Sequence, residues 1–130
     1  MSRVVITGGP RTGKTTMANN MVGPVKHTDD LIAETAHLGK DSWSEASRLA
    51  SLWMDEPGPW VIEGVAASRA LRKWREAHPG EAPPVDRVIY LETPHEELSK
   101  GQASMAKGVA KVHSEVEDWL AMHGVKTERM

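Results

Sequence analysis

Apolar residues fall along this chain in two alternating patterns: short unbroken runs, and longer stretches in which they recur every three or four positions. Residues 3–7, Arg-Val-Val-Ile-Thr, are a β-branched run that stops at Gly8-Gly9-Pro10, which predicts a buried strand ending in a turn. Runs at 25–28, 60–64 and 85–92 predict three more strands, the last with Val88-Ile89-Tyr90-Leu91 continuous and apolar, and 125–127 has room only for a stub of a fifth.

Helical spacing fills the gaps. Residues 15–22 predict a helix closed by Gly23-Pro24, and 29–37 a second that Thr28 or Asp29 can cap and Gly39 ends. From Ser42 or Ser44 to Met54 the residues Trp43, Ala46, Leu49, Ala50 and Trp53 recur at helical spacing, before Glu56-Pro57-Gly58-Pro59 breaks the helix. A basic helix is expected over 68–77 and a Pro- and Gly-rich loop over 78–84. Thr93-Pro94 opens a helix that continues through a lid-like region, 94–111, to about Gly108, and a final amphipathic helix covers 109–123. Strands alternating with helices predict an α/β fold: a three-layer, doubly wound parallel sheet of four or five strands with helices on both faces.

A chain of 130 residues has room for one core but not for a nucleotide domain plus a substrate domain, so 1–130 is expected to be a single domain whose own loops build any substrate site. With 39% hydrophobic and 26% charged residues the composition is that of a soluble globular protein, and no apolar run approaches the ~18 residues of a membrane span. The run at 4–6 gives way to glycines, so neither a secretory signal nor an anchor is expected there. The absence of Cys excludes disulfides and thiolate metal sites and fits a reducing compartment, so the expectation is a cytoplasmic protein without a membrane partner. A net charge of −2 argues against a wholesale electrostatic grip on nucleic acid but leaves room for a local groove.

One motif changes the picture. Gly8-Gly9-Pro10-Arg11-Thr12-Gly13-Lys14-Thr15 satisfies G-x-x-x-x-G-K-[ST] at every constrained position, after a strand and at the start of a helix. The glycines permit a turn whose N–H groups face phosphate oxygens, Lys14 suits the β and γ phosphates, and Thr15 offers its hydroxyl to Mg²⁺. ATP with Mg²⁺ is therefore the expected cofactor, bound by residues 8–15 and the following Thr16.

A kinase also needs an acid near Mg²⁺ and a group to orient or deprotonate the acceptor hydroxyl. Glu63 closes the apolar strand Val61-Ile62-Glu63-Gly64, and Asp29 and Asp30 follow the second strand; all three are expected at the edge of the sheet beside the glycine-rich loop. A helix cap would explain one of the two aspartates, and an ordinary strand-end charge would explain Glu63.

The order of the glycine-rich loop, Thr28-Asp29-Asp30-Leu31-Ile32, Trp60 to Gly64, and Val88-Ile-Tyr-Leu-Glu-Thr-Pro94 resembles that of the small P-loop kinases, which include adenylate, shikimate, gluconate and polynucleotide kinases. The resemblance covers most of the chain in element order, and only the loop motif is specific on its own. It implies that Asp29, with Asp30 as neighbour, is the acceptor-side base, that Glu63 holds Mg²⁺ through water, and that 94–111 leads into and through a lid. Lids of this group usually supply arginines, whereas only lysines occur between Pro94 and Lys126; Lys100, Lys107 or Lys111 would act there as point charges. An Arg that polynucleotide kinases place shortly after the aspartates is also missing from 31–37.

Arg69 and Arg72 share a helical face near the expected crevice and are candidates for acceptor binding, or else part of a solvated basic helix. Trp53, Trp60 and Trp119 read as core, Trp43 and Trp74 as candidate stacking platforms, and the His residues show no metal spacing. The expected activity is transfer of the ATP γ-phosphoryl group to a hydroxyl of a nucleoside, a nucleotide or DNA, including a hydroxymethylated base. A small-metabolite kinase and a regulatory P-loop NTPase without an acceptor are the alternatives. The sequence leaves the oligomeric state open.

Overall fold

The computed structural model describes residues 2–130. Strands β1 (Arg3–Gly8), β2 (Val25–His27), β3 (Trp60–Glu63), β4 (Arg87–Leu91) and β5 (Thr127–Arg129) form one sheet in the order β2-β3-β1-β4-β5, every neighbouring pair parallel. Helices α1 (Lys14–Asn19), α2 (Thr28–Glu34), α3 (Ser42–Trp53), α4 (Ala67–Ala77) and α5 (Lys100–Met122) connect them, with a 3₁₀ segment at Ala36–Asp41. Side chains alternate along each strand and so supply both faces of the sheet. Val5, Ile62 and Val88 pack under α2 to α5 through Leu31, Ala46, Leu71 and Leu120. Val4, Ile6, Val61 and Ile89 face the other way, where α1 and the turn after it cover them through Ala18, Met17 and Met21. The fold is thus α/β with helices on both sides, as expected, but the cover is lopsided: four helices on one face and a single short one on the other. No helix among the described residues is long and apolar enough to cross a membrane.

Several boundaries depart from the sequence expectation: the second helix stops at Glu34 and a 3₁₀ segment runs through Gly39, the fifth strand lies at Thr127–Arg129, and three further shifts each have a physical reason. The first helix stops at Asn19 rather than 22, because Val22 is 92% exposed and offers no buried contact to hold another turn. Gly108 does not divide the C-terminal half: α5 runs through it as one helix of 23 residues. A helical Gly costs about 1 kcal/mol, and the buried stripe Val109, His113, Val116 and Leu120 outweighs it. The start of α5 is set by Ser99 rather than by Thr93-Pro94. Ser99 Oγ accepts from the Gln102 amide at 3.1 Å while Gln102 Oε1 accepts from the Ser99 amide at 2.9 Å, a capping box legible as Ser-x-x-Gln. The region 94–111 is therefore a loop followed by the first turns of a long helix. The expected caps at 28–29 and 42–44 are also absent. Neither α2 nor α3 has a side-chain cap bond, and the Ser42 hydroxyl turns inward to Thr35 Oγ1 at 3.0 Å.

A buried polar chain ties α4, α5 and β5 to the central strand. Thr7 Oγ1 lies 2.7 Å from Ser68 Oγ, Ser68 Oγ 3.0 Å from His113 Nδ1, and His113 Nε2 3.0 Å from Thr127 Oγ1. His113 is 0% exposed, and burial pushes its pKa down to about 4. The unfolded chain takes up this proton below pH ~6.5 while the folded chain refuses it until about pH 4, so stability falls as pH drops through that window. The loss is about 3 kcal/mol by the ~1.4 kcal/mol per unit rule. Urea unfolding at pH 7 and pH 4.5 measures it, and a His113→Gln protein is expected to lose most of that difference. An equal pH slope in the two proteins would contradict this assignment.

Candidate functional site

Strand β1 brings the chain to the carboxyl edge of the sheet, where it turns sharply through residues 8–15. Gly8 takes φ 141°, and a Cβ there would run into the carbonyl oxygen of Leu91 on β4. Gly13 takes φ 88°, with His95 Nε2 3.0 Å from where its Cβ would stand. Both positions therefore demand glycine. Among the described residues, no backbone carbonyl accepts the amide protons of residues 13–16. A succession of free donors in a tight turn is a concavity suited to an anion.

Lys14, only 8% exposed, folds its amine back on this loop: Nζ donates to the Gly9 carbonyl at 2.5 Å and lies 3.4 Å from Thr12 Oγ1. Burial lowers its pKa, and the charges of Glu63 and Asp29 oppose that shift. The outer flank of the loop is fastened to the segment after β4. The His95 amide donates to the Arg11 carbonyl at 2.7 Å, and the Arg11 guanidinium, on a residue at φ 60°, pairs with Glu96 at 2.5 Å.

Glu63 ends β3 with its side chain 1% exposed. Its Oε1 accepts from Thr15 Oγ1 at 3.2 Å and from His27 Nδ1 at 2.6 Å, while Oε2 is buried with no partner. An ionised carboxylate can only accept, so the imidazole donates through Nδ1. Sequence reasoning assigned the His residues nothing and so missed His27. The signal was positional: His27 ends β2 directly beside Glu63 in the sheet register, and pairing of strands remote in sequence is not visible in either strand alone.

Two clefts meet at the loop. One of about 890 Å³ lies over the thinly covered face and is lined by Thr16, Met17, Met21, Leu91, Pro94 and His95, among others. The other, of about 560 Å³, opens on the opposite flank, where Lys14, Thr15 and Glu63 face Asp29, Trp43 and Met105. Residues Arg11, Thr12, Gly13 and Thr16 belong to both. Neither a family model nor a curated protein sequence matches this chain. Its chemistry is carried by this geometry alone.

The remaining candidates separate clearly. Asp29 and Asp30 both sit in the first turn of α2, exposed and without a cap bond, yet only Asp29 lines the second cleft. Of the tryptophans, Trp43 lines that cleft, whereas Trp74 is core: it is 6% exposed, stacks on His78 at 4.0 Å and donates its ring N–H to Asp55. Arg72 is engaged by Glu115 on α5 at 2.8 Å and does not line the cleft. Lys100 and Lys107 are exposed on α5 and lie outside it too; Lys107 borders a separate groove beside Gly9 and Arg129. Arg69 borders an adjoining cavity.

Proposed function

We propose that this chain is a P-loop kinase that transfers the γ-phosphoryl group of Mg·ATP to a hydroxyl acceptor. The observation that carries the reading is the buried Glu63 carboxylate, hydrogen-bonded to Thr15 of the motif with one oxygen left over, in the cleft that also holds Lys14 and Asp29. An unpartnered buried carboxylate oxygen costs stability unless something uses it. One carboxylate beside a threonine hydroxyl and substrate phosphates is the donor set Mg²⁺ ordinarily takes, with water completing its shell. Thr15 and, through water, Glu63 would hold Mg²⁺ there, and the ion would neutralise phosphate charge.

The chain's own groups supply the rest. The 8–15 loop amides and Lys14 hold the β and γ phosphates, and the larger cleft, apolar through Met17, Met21 and Leu91, accommodates the nucleoside. An acceptor in the second cleft sits between Trp43 and Asp29. As its oxygen bonds to the γ phosphorus, the bond from that phosphorus to the β–γ bridging oxygen breaks, ADP leaves with the electron pair, and Asp29 takes the hydroxyl proton. Nucleosides, nucleotides, hydroxymethylated DNA and small alcohols all offer such a hydroxyl. Incubation with γ-labelled ATP and a panel of these compounds is expected to label at least one of them. Label released only as inorganic phosphate, whatever the compound, would favour an NTPase without an acceptor.

Glu63→Gln keeps the shape and one acceptor oxygen but removes the charge. Its Mg²⁺ requirement for nucleotide binding is expected to rise roughly 10- to 100-fold, the usual effect of an outer-shell change at a metal. His27→Ala, which frees the Glu63 side chain to rotate, is expected to move the same way by a smaller factor, with Asn at 27 restoring a donor near the Nδ1 position. Calorimetric titration of ATP at graded Mg²⁺ reads both, and an unchanged Mg²⁺ dependence in Glu63→Gln would reassign this carboxylate to structure.

A further inference from the structure

Among the described residues Arg69 has no partner, whereas every other arginine is engaged. Arg3 pairs with Asp86, Arg11 with Glu96, Arg48 with Glu45, Arg72 with Glu115, Arg87 with Glu128 and Arg129 with Glu92, and Arg75 donates to the Glu115 carbonyl. Among the described residues Arg69 donates to nothing, and its Nε is buried. Leaving a buried donor unsatisfied costs about 1–3 kcal/mol, and a long charged side chain ordinarily avoids that cost by reaching water with its head. Arg69 does not escape in this way at Nε. It borders a cavity of about 270 Å³ whose other walls are mostly apolar: Trp43, Val65, Met105, Val109 and Val112. The one hydroxyl there, on Ser68, is already committed to Thr7 and His113.

The cavity continues the acceptor cleft. Trp43, Val65 and Met105 line both spaces, so a molecule whose hydroxyl lies near Asp29 and Lys14 can extend past these three side chains to Arg69. The geometry points to an acceptor that is a small amphiphilic alcohol: a hydroxyl at one end, an apolar body against Trp43 and Met105, and a carboxylate or phosphate at the other end bound by Arg69. A guanidinium presents parallel N–H donors that match either anion and favours it over a neutral group. The apolar walls select against small, fully hydrated sugars and polyols, which have no surface to place there. This inference rests on the kinase reading for the role of the hydroxyl, but the anion site itself is measurable without nucleotide.

Three probes distinguish the chemistry: benzoate, phenyl phosphate and benzyl alcohol share an apolar ring and differ in charge. Titrated into the ¹⁵N-labelled protein without ATP, benzoate or phenyl phosphate is expected to shift the Arg69 Nε–H resonance saturably. That resonance is identified by its loss in Arg69→Lys. Binding of the effective anion is expected to exceed that of benzyl alcohol roughly tenfold or more, the worth of a charge-assisted hydrogen bond, and Arg69→Met is expected to erase the difference. A response to benzoate alone assigns a carboxylate, a response to phenyl phosphate alone assigns a phosphate monoester, and either supports the site. No shift of the Arg69 resonance with either anion, an equal response to benzyl alcohol, or undiminished anion preference in Arg69→Met would overturn it. Failure of the kinase reading would instead appear as absent Mg·ATP binding, with these titrations unaffected.

Discussion

Replacing Lys14 by Ala is expected to lower phosphoryl transfer by roughly 10³-fold, the upper range for removing one preorganised donor to a developing negative charge, while the melting temperature stays level or rises. The two halves of that expectation have one cause. Lys14 is a nearly buried cation whose amine rests on the Gly9 carbonyl, with no carboxylate in hydrogen-bonding contact. Its burial lowers its pKa, which means the folded protein bears a desolvation cost to keep it. Truncation removes that cost together with the group proposed to meet the phosphates. A structural lysine would behave in the opposite way, costing stability and leaving catalysis intact. Thermal unfolding and a single-turnover assay on the same preparation separate the two, and a folded Lys14→Ala protein with wild-type transfer would end the P-loop assignment.

The glycine-rich loop and the first four strands were legible because each is a local property, whereas the fifth, expected as a stub at 125–127, lies at Thr127–Arg129. A β-branched run, a Gly pair and a Lys-Thr step all lie within a few residues of one another, and local geometry dictates them. What was not legible depends on which distant segments meet. His27 acquires a role only because β2 pairs with β3 in the register that sets it against Glu63. Arg69 and Arg72, three residues apart on α4, looked equivalent in sequence, yet Glu115 on α5 neutralises one and leaves the other bare. Trp74 looked as available as Trp43 until α4 carried it into the core. The helix boundary expected at Gly108 failed over a balance of small energies: a Gly there costs less than the buried stripe on α5 returns.

Asp29→Asn is expected to lower transfer by roughly 10²- to 10⁴-fold, the usual range for losing a general base, with ATP affinity and melting temperature near wild type. The structure sharpens this contrast. Asp29 is exposed and makes no cap bond on α2, so the change to Asn breaks no hydrogen bond of the fold and costs only the modest attraction of its charge to the helix N-terminus and to Lys14. What it removes is a proton acceptor in the cleft shared with Lys14, Thr15 and Glu63. Asp30, one residue on, is equally exposed but lies outside that cleft, so Asp30→Asn is expected to behave like wild type. Rate measurements on the pair under saturating ATP decide the matter. A large loss in Asp30→Asn with Asp29→Asn active would move the base by one residue, and near-normal transfer in both would remove the acidic pair from the chemistry.

The claim beneath all of these is that the 8–15 loop is where phosphates bind. The backbone amides of this loop report it directly, because among the described residues no backbone carbonyl takes the protons of residues 13–16. A titration of the ¹⁵N-labelled protein with a non-hydrolysable Mg·ATP analogue is expected to shift those amides first and furthest, saturating at one equivalent, with Gly13, Lys14 and Thr15 among the largest changes. Saturable binding that leaves these amides unmoved, or no binding at millimolar analogue by a folded protein, would contradict the account.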